Sequence, residues 1–296
     1  MNGLLVIDKP GGMTSHDVVN RLRRITGERT IGHLGTLDPM ATGVLPLLMG
    51  KYTRLAQYFS AAEKSYAGTV RFGFATSTYD AEGDAAGLDT WPDVAGTITL
   101  ERLRGAAERF RGLTEQMPPP FSAKKIGGTP AYKLARQGKP VELKPAPVRI
   151  DAFEFLALEG AEASFTIEIS SGGYVRSVAH ELGRDLGCGA HLSRLRRTRA
   201  GAFALDEAHA LEELEPLANQ VDALEALCVH PRRLLPEMPS VTGDAVALGR
   251  LRNGAQGNLP EFSSAALVKV FAGPRELMGI AKRVAGTLFQ PVVVLG

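Results

Sequence analysis

The sequence predicts an α+β protein, with a larger mixed domain over residues 1–235 and a small, mostly β domain over 240–296. Three observations predict it. At about 150 residues per domain, a chain of 296 residues has the length of roughly two domains. Strand-like and helix-like segments follow one another irregularly, without the βαβ repeat of a doubly wound sheet. Pro231, Pro236 and Pro239 mark a linker, and short apolar runs with Gly-Pro turns lie beyond it. Apolar residues at 44% and charged residues at 22% exclude a disordered tail, a collagen-like fibre and a coiled coil. The chain is long enough to bury a sizeable core without staples.

The elements can be justified in order. Leu4 to Ile7 reads as a short buried strand closed by Asp8-Lys9-Pro10-Gly11-Gly12. Ser15 is the expected N-cap of a helix carrying Val18, Leu22 and Ile25, with Gly27 as its stop. Gly32 to Gly50 reads as a Gly/Pro-rich loop that feeds a buried strand at Val44 to Met49. Lys64 to Phe72 alternates, placing Tyr66, Val70 and Phe72 on one face. Thr99 caps a helix through Leu100, Leu103, Ala107 and Phe110, and Gly112 follows. Met117-Pro118-Pro119-Pro120 breaks the pattern, and Thr129-Pro130 to Gly138 reads as a helix. Ala163, Phe165, Ile167 and Ile169 alternate as a strand. After Ser170-Ser171-Gly172-Gly173 comes a helix with Val175, Val178, Ala179, Leu182 and Leu186 on one side. Ala266 to Phe271, Leu277 to Ala281 and Pro291 to Leu295 read as the strands of the small module.

Lys plus Arg is 34 and Asp plus Glu is 32, so the net charge of +2 conceals local segregation. Between Phe121 and Ile150 stand Lys124, Lys125, Lys133, Arg136, Lys139, Lys144 and Arg149, opposed only by Glu142. Arg194, Arg196, Arg197 and Arg199 have no acidic neighbour from His191 to Ala200. Asp206, Glu207, Glu212, Glu213, Glu215, Asp222 and Glu225 compensate. A single charge run is usually a solvated face; two interleaved with Tyr, Phe or Gly point to a polyanion. Cys188 and Cys228 form no C-x-x-C pair, so neither a disulfide framework nor a zinc site is expected. The apolar run at Leu4 to Ile7 is too short for a signal-peptide core, and no stretch approaches a membrane span. A reduced cytoplasm is the expected compartment.

Asp38 is the most suggestive chemical group. Pro39 biases it away from the helical region, and Gly35 and Gly43 permit close backbone approach. A carboxylate on a stiff loop can act as nucleophile or base; an ordinary Asp-Pro turn would read the same way locally. No second carboxylate stands in a comparable loop to suggest a glycosidase, and His33 with Asp38 is weak as a metal pair.

Several motifs together carry a resemblance. Gly32-His33-Leu34-Gly35-Thr36-Leu37-Asp38-Pro39-Met40-Ala41-Thr42-Gly43 resembles the catalytic loop of the TruB family of tRNA pseudouridine synthases, as does the opening Asp8-Lys9-Pro10-Gly11-Gly12-Met13-Thr14-Ser15-His16. Lys64-Ser65-Tyr66, Phe72-Gly73 and Thr76-x-Thr78-x-Asp80 resemble its tyrosine motif. Ser122-Ala123-Lys124-Lys125-x-Gly127 and Ala131-Tyr132-x-Leu134-Ala135-Arg136-x-Gly138 resemble its RNA-binding insertion, about residues 118–150. Tyr174-Val175-Arg176-Ser177 and His191 to Thr198 resemble its late motifs. Order and spacing agree from residue 3 to about 205, and the residues after 240 more weakly resemble a PUA-type RNA-binding module. Two departures stand out: Gly172-Gly173-Tyr174 replaces the usual Gly-Thr-Tyr, and Ala146 stands where a basic residue is common.

The resemblance implies a pseudouridine synthase fold with a mixed, largely antiparallel central sheet. It implies conversion of uridine 55 in the T arm of tRNA to pseudouridine, chemistry that requires no metal, redox group or nucleotide cofactor. Asp38 would be the carboxylate acting at C1′ or C2′, with Arg176 orienting its charged form. Tyr66 would stack on the base, Leu195 would close the pocket from the opposite side, and Tyr174 would be a further wall. His33 would insert where the flipped nucleotide had been. Lys124, Lys125, Lys133 and Arg136 of the insertion, with Arg196 and Arg197, would contact RNA. A monomer without membrane or obligate protein partner is expected. The competing class is an RNA-binding or tRNA-folding module without chemistry, which needs no Asp38, Tyr66 and Arg176 together. A relative guided by a separate RNA is disfavoured by compact length and the lack of basic tails.

Overall fold

The structure is a computed structural model that describes residues 1–122, 125–126, 129–130 and 143–296, with backbone alone at 125, 126, 129 and 130. Its elements begin β1 (Gly3–Lys9), α1 (Ser15–Thr26), β2 (Ile31–His33), β3 (Thr42–Met49), a 3-10 helix (Gly50–Phe59) and β4 (Lys64–Phe72). Then come β5 (Ala75–Thr76), β6 (Ala85–Ala86), α2 (Trp91–Val94), α3 (Leu100–Glu108), β7 (Gly112–Gln116), β8 (Lys125–Ile126) and β9 (Thr129–Pro130). β10 (Ala146–Glu159), β11 (Glu162–Ile169), α4 (Val175–Asp185), β12 (Ala190–Ala200), β13 (Phe203–Ala204), α5 (Leu211–Leu214) and α6 (Val221–Ala226) follow. The chain closes with β14 (Ser240–Thr242), α7 (Ala245–Arg252), β15 (Gly257–Asn258), β16 (Leu267–Ala272), β17 (Glu276–Ala285) and β18 (Leu288–Val294).

Among the described residues, nine strands form one sheet in the order β1–β3–β12–β4–β11–β10–β7, with β2 on β3 and β13 on β12. β3 and β12 pair in parallel, at Arg196↔Thr42 and Arg197↔Gly43. The other pairings of this sheet are antiparallel. This is the α+β class with a mixed, largely antiparallel sheet. Gly43 makes the parallel contact possible: its φ is 99°, and a Cβ there would overlap the backbone of Arg197.

The apolar runs in β1 and β3 have no alternation because both strand faces are covered. Leu5, Ile7, Leu45 and Leu47 join a core with Val18 and Leu22 of α1 and Val178 and Leu182 of α4. Leu4, Val6, Val44 and Leu48 pack on the other face against Phe203, Leu234, Phe271, Leu277 and Ile280. Leu4, Leu5, Val6 and Ile7 are each at most 1% exposed. A strand buried on both faces reads as a continuous apolar run. The second sheet, β14–β16–β17–β18–β15, supplies that outer cover and adds its own core of Val241, Leu251, Val268, Val270 and Phe289.

Three local readings change. The cap of α1 is Thr14, not Ser15: the Asp17 N–H donates to Thr14 Oγ1 at 3.1 Å and the Thr14 N–H to the Asp17 carboxylate at 2.9 Å. Ser15 is buried and committed elsewhere. Thr129–Pro130 pairs antiparallel with Lys125–Ile126 where a helix start is expected, and Gly138 lies outside the described residues. The proline segment after 231 is packed: Leu234 is fully buried, and Lys269 Nζ donates to the carbonyls of Arg232 at 2.9 Å and Leu234 at 2.6 Å. Prolines remove donors but leave carbonyls, and a buried lysine satisfies those. Among the described residues, no helix is long and apolar enough to cross a membrane.

Candidate active site

The loop between β2 and β3 presents Asp38, and its backbone is held on every side. The Ala41 N–H donates to Asp38 O at 3.1 Å, closing a turn with Pro39 at its second position. The Asp-Pro turn and the suggestive carboxylate are therefore one feature. Ser15 Oγ accepts from the Leu37 N–H at 2.8 Å and donates to Leu37 O at 3.1 Å. Pro39 O accepts from the Gly12 N–H at 2.9 Å and from Lys9 Nζ at 3.2 Å. Lys9 is fully buried and also donates to Pro10 O and Met13 O; burial pulls its pKa down to about 8, against the nearby Asp38 charge. From beneath, Arg197 donates through Nε to Val44 O at 2.7 Å and through Nη2 to Gly35 O at 3.1 Å. Gly35 itself has φ 111°, a conformation that favours glycine.

Arg176, in the first turn of α4, meets Asp38. Nη2 donates to Asp38 Oδ1 at 3.0 Å, and Nε lies 2.9 Å from Oδ2. The guanidinium is itself fixed: Nη1 donates to Thr78 O at 2.9 Å and lies 3.5 Å from Asp80 Oδ2, while Nη2 also donates to Phe121 O at 2.9 Å. Asp80 is buried and accepts from Thr78 Oγ1 at 2.5 Å and the Glu82 N–H at 3.1 Å. Arg176 is 5% exposed, whereas the Asp38 side chain keeps 34% exposure. The cation is thus buried behind a carboxylate that reaches the cleft. Burial lifts the Asp38 carboxyl above its ordinary range; the Asp80 charge pushes the same way, and Arg176 and Lys9 oppose. Burial, with Asp80 and Asp38, lifts the carboxyl of Glu82 as well.

The cleft over Asp38 encloses about 240 Å³ and is lined by Leu37, Tyr66, Tyr174, Arg176, Leu195 and Arg197, among others. This lies below the roughly 300–1,000 Å³ of sites for drug-sized ligands and suits one planar ring. Arg197 pairs with Tyr66 across β12 and β4, and Leu195 lies two residues along β12. Period-two alternation puts Tyr66, Arg197 and Leu195 on one face of the sheet. Leu195 and Tyr66 thus project from one sheet face, and both line the cleft. Tyr174 forms the wall at the start of α4, and buried Gln116 holds it: Nε2 donates to Tyr174 O at 3.1 Å, and Oε1 accepts from the Tyr174 N–H at 2.8 Å. At Gly173, a Cβ would overlap Ile169, whose side chain fills the space a larger residue would need. A second groove, about 760 Å³, lies among Leu34, Phe59, Phe203, Leu235 and Met238; Asp38, Tyr66 and Arg176 do not line it.

The remaining sequence-derived residues separate. His33 stands at the end of β2, outside the lining of the cleft, and burial lowers its pKa, favouring the neutral ring. Arg196 bonds Asp8 at 2.6 Å and Thr42 at 3.2 Å while keeping 39% exposure. Arg197 is 1% exposed and spent on backbone carbonyls, so it supports the loop in place of the expected phosphate contact. The arginine run divides because β12 alternates, Arg194 facing out and Arg197 in. Lys124, Lys133 and Arg136 lie outside the described residues, and Lys125 is described only as backbone of β8. Asp80, Gln116 and Ser15 take roles that sequence reasoning did not assign. Asp80 and Ser15 had a signal, their places in Thr76-x-Thr78-x-Asp80 and in the opening motif Asp8 to His16, whereas Gln116 had none.

Comparison with known proteins shows the family. Residues 23–175 match the family model for the N-terminal domain of TruB family pseudouridylate synthases. Residues 176–235 match that for the tRNA pseudouridylate synthase B C-terminal domain. The chain is 47% identical over 298 residues to tRNA pseudouridine synthase B of Solibacter usitatus, covering 100% of both chains. It is 50% identical over 231 residues to the protein of the same name from Mycobacterium tuberculosis, covering 77% of this chain and 76% of that one. Among solved structures, it resembles the archaeal box H/ACA Nop10–Cbf5 complex, with TM-score 0.68 and 23% identity over 99% of this chain and 85% of that one. It also resembles an H/ACA ribonucleoprotein bound to a substrate RNA containing 2′-deoxyuridine, with TM-score 0.70 and 24% identity over 99% and 85%. At that identity the likeness concerns the fold alone.

Proposed function

This chain belongs to the TruB family of pseudouridine synthases, and from that premise we propose that it isomerises uridine 55 in the T arm of tRNA. Residues 1–235 form the catalytic domain in this reading, and 240–296 a PUA-like RNA-binding domain. The enzyme acts in the cytoplasm as a monomer, without an obligate protein partner.

The reaction breaks the C1′–N1 bond, turns the base and joins C1′ to C5. A stacked base must first leave the helix, at a cost of a few kcal/mol. His33 takes the vacated place, and the insertion with Arg194 and Arg196 contacts the backbone. The flipped uracil stacks on Tyr66, Leu195 closes the pocket on the other side of the ring, and Tyr174 stands beside it. Asp38 then acts as an ionised carboxylate on the sugar, at C1′ as nucleophile or at C2′ as base. Arg176 offers two nitrogens to Asp38 and keeps it aimed. Covering of the cleft by the base removes water, which strengthens that pair. Tyr66 assists in handling the C5 proton.

The observation that carries this reading is Asp38 paired with the buried Arg176 at the mouth of a cleft floored by Tyr66. A binding module has no use for such a buried, doubly held cation. The test is Asp38→Asn, assayed for pseudouridine in a T-arm transcript and for binding. Turnover is expected to fall by about 10³-fold or more with affinity kept. Retained conversion would remove Asp38 from the chemistry, and binding without conversion by the wild type would favour the RNA-folding reading.

A further inference from the structure

Beside Arg176 and Asp80, the 76–82 loop carries one further feature. Tyr79 lies between Thr78 and Asp80, and its φ is 67°, a left-handed conformation that strains a residue with a side chain. Its ring stacks on that of His180, with centroids 3.7 Å apart and planes within 10°. His180 is four residues beyond Arg176 on α4, hence on the same helix face. One face of α4 therefore grips the 76–82 loop twice, through the guanidinium and through the imidazole.

We propose that the Tyr79–His180 stack is a positioning device for the catalytic arginine. Rotation about φ of Tyr79 turns the Thr78 carbonyl relative to Asp80, and these are the two groups that hold Arg176 Nη1. The backbone of Tyr79 is pinned by its N–H donating to Thr76 O at 3.2 Å and its carbonyl accepting from the Leu192 N–H at 3.0 Å. The stack supplies the remaining restraint, pressing the ring where only a left-handed backbone can place it. Asp80 faces Arg176, while the groups around the stack are Glu181 and Arg184 of the same helix. Burial and Arg184 keep the His180 ring on its neutral side, so it packs as a flat aromatic face.

The inference rests on the pseudouridine synthase reading, and its test separates the two. Single-turnover conversion of a T-arm transcript and RNA affinity are measured for the wild type, His180→Ala, His180→Phe, Tyr79→Ala and Tyr79→Gly, with melting temperatures alongside. His180→Ala is expected to slow conversion about tenfold without changing affinity, and His180→Phe to restore it to within about twofold, because Phe keeps the stacked face. Tyr79→Gly should convert faster than Tyr79→Ala, since glycine adopts the left-handed backbone without strain. The proposal is overturned if His180→Ala converts as fast as wild type. It is equally overturned if His180→Phe recovers the melting temperature but stays as slow as His180→Ala. A wild type that binds but does not convert overturns the functional reading itself, and this inference with it.

Discussion

Two buried arginines stand on either side of the Asp38 loop and do different work. Arg176 is 5% exposed and meets two carboxylates and two carbonyls. Arg197 is 1% exposed and, from the opposite side, donates to the carbonyls of Gly35 and Val44. One guanidinium sets the charge of the site, and the other sets its backbone. Residue type and burial are nearly equal, so the role follows from what each side chain is offered. A cation facing carboxylates changes their protonation and aim, whereas one facing neutral carbonyls ties chain to chain.

That contrast can be broken most sharply at Arg176. Arg176→Gln should lower conversion roughly 10²–10³-fold while leaving RNA affinity near wild type. In the wild type, burial raises Asp38, so the active ionised form is lost as pH falls through a pKa above the ordinary carboxylate range of about 4. Removing the guanidinium takes away the chief opposing influence, so the acid limb of the residual activity should move to still higher pH. An acid limb that moves down, or stays in place, would show that Arg176 does not set the charge of Asp38.

At Arg197 the expected damage is to stability first. Arg197→Met removes the two side-chain hydrogen bonds to the carbonyls of Gly35 and Val44, at about 2–4 kcal/mol. Denaturant melts should show that loss, and conversion by the folded fraction should fall less than for Arg176→Gln. Equal losses of turnover would erase the distinction between the two. The smallest effect belongs to Gly173→Thr, which would make residues 172–174 Gly-Thr-Tyr. Ile169 occupies the space of the new side chain, so the substitution should cost about 1–3 kcal/mol. Combined with Ile169→Ala, the loss should be smaller than the sum of the two single losses, and strictly additive losses in denaturant melts would contradict the overlap.

Much of this architecture is legible in the residues. Alternation at Tyr66, Val70 and Phe72 marks β4, Thr99 marks the cap of α3, and Gly27 with φ 70° ends α1. Asp38 is legible because Pro39 and two glycines announce a constrained loop. The cap of α1 misleads by one residue, since Thr14 and Ser15 are chemically alike and only Ser15 can reach the Leu37 peptide. The arginine run misleads in the same way. Four cations in six residues suggest a phosphate surface, yet strand alternation turns Arg197 into the protein.

By itself the sequence determined the main helices and strands, the constrained loop that carries Asp38 and the family. Those depend on local backbone preference, apolar periodicity and motif spacing, all written along the chain. Only the tertiary structure decided which groups meet. Asp38 and Arg176 are 138 residues apart, and their pairing exists because β3 runs parallel to β12 while α4 packs under the same sheet. The physical reason is that burial and charge are properties of surroundings. A buried cation needs partners, and the chain supplies them from Thr78, Asp80 and Phe121 only once it is folded.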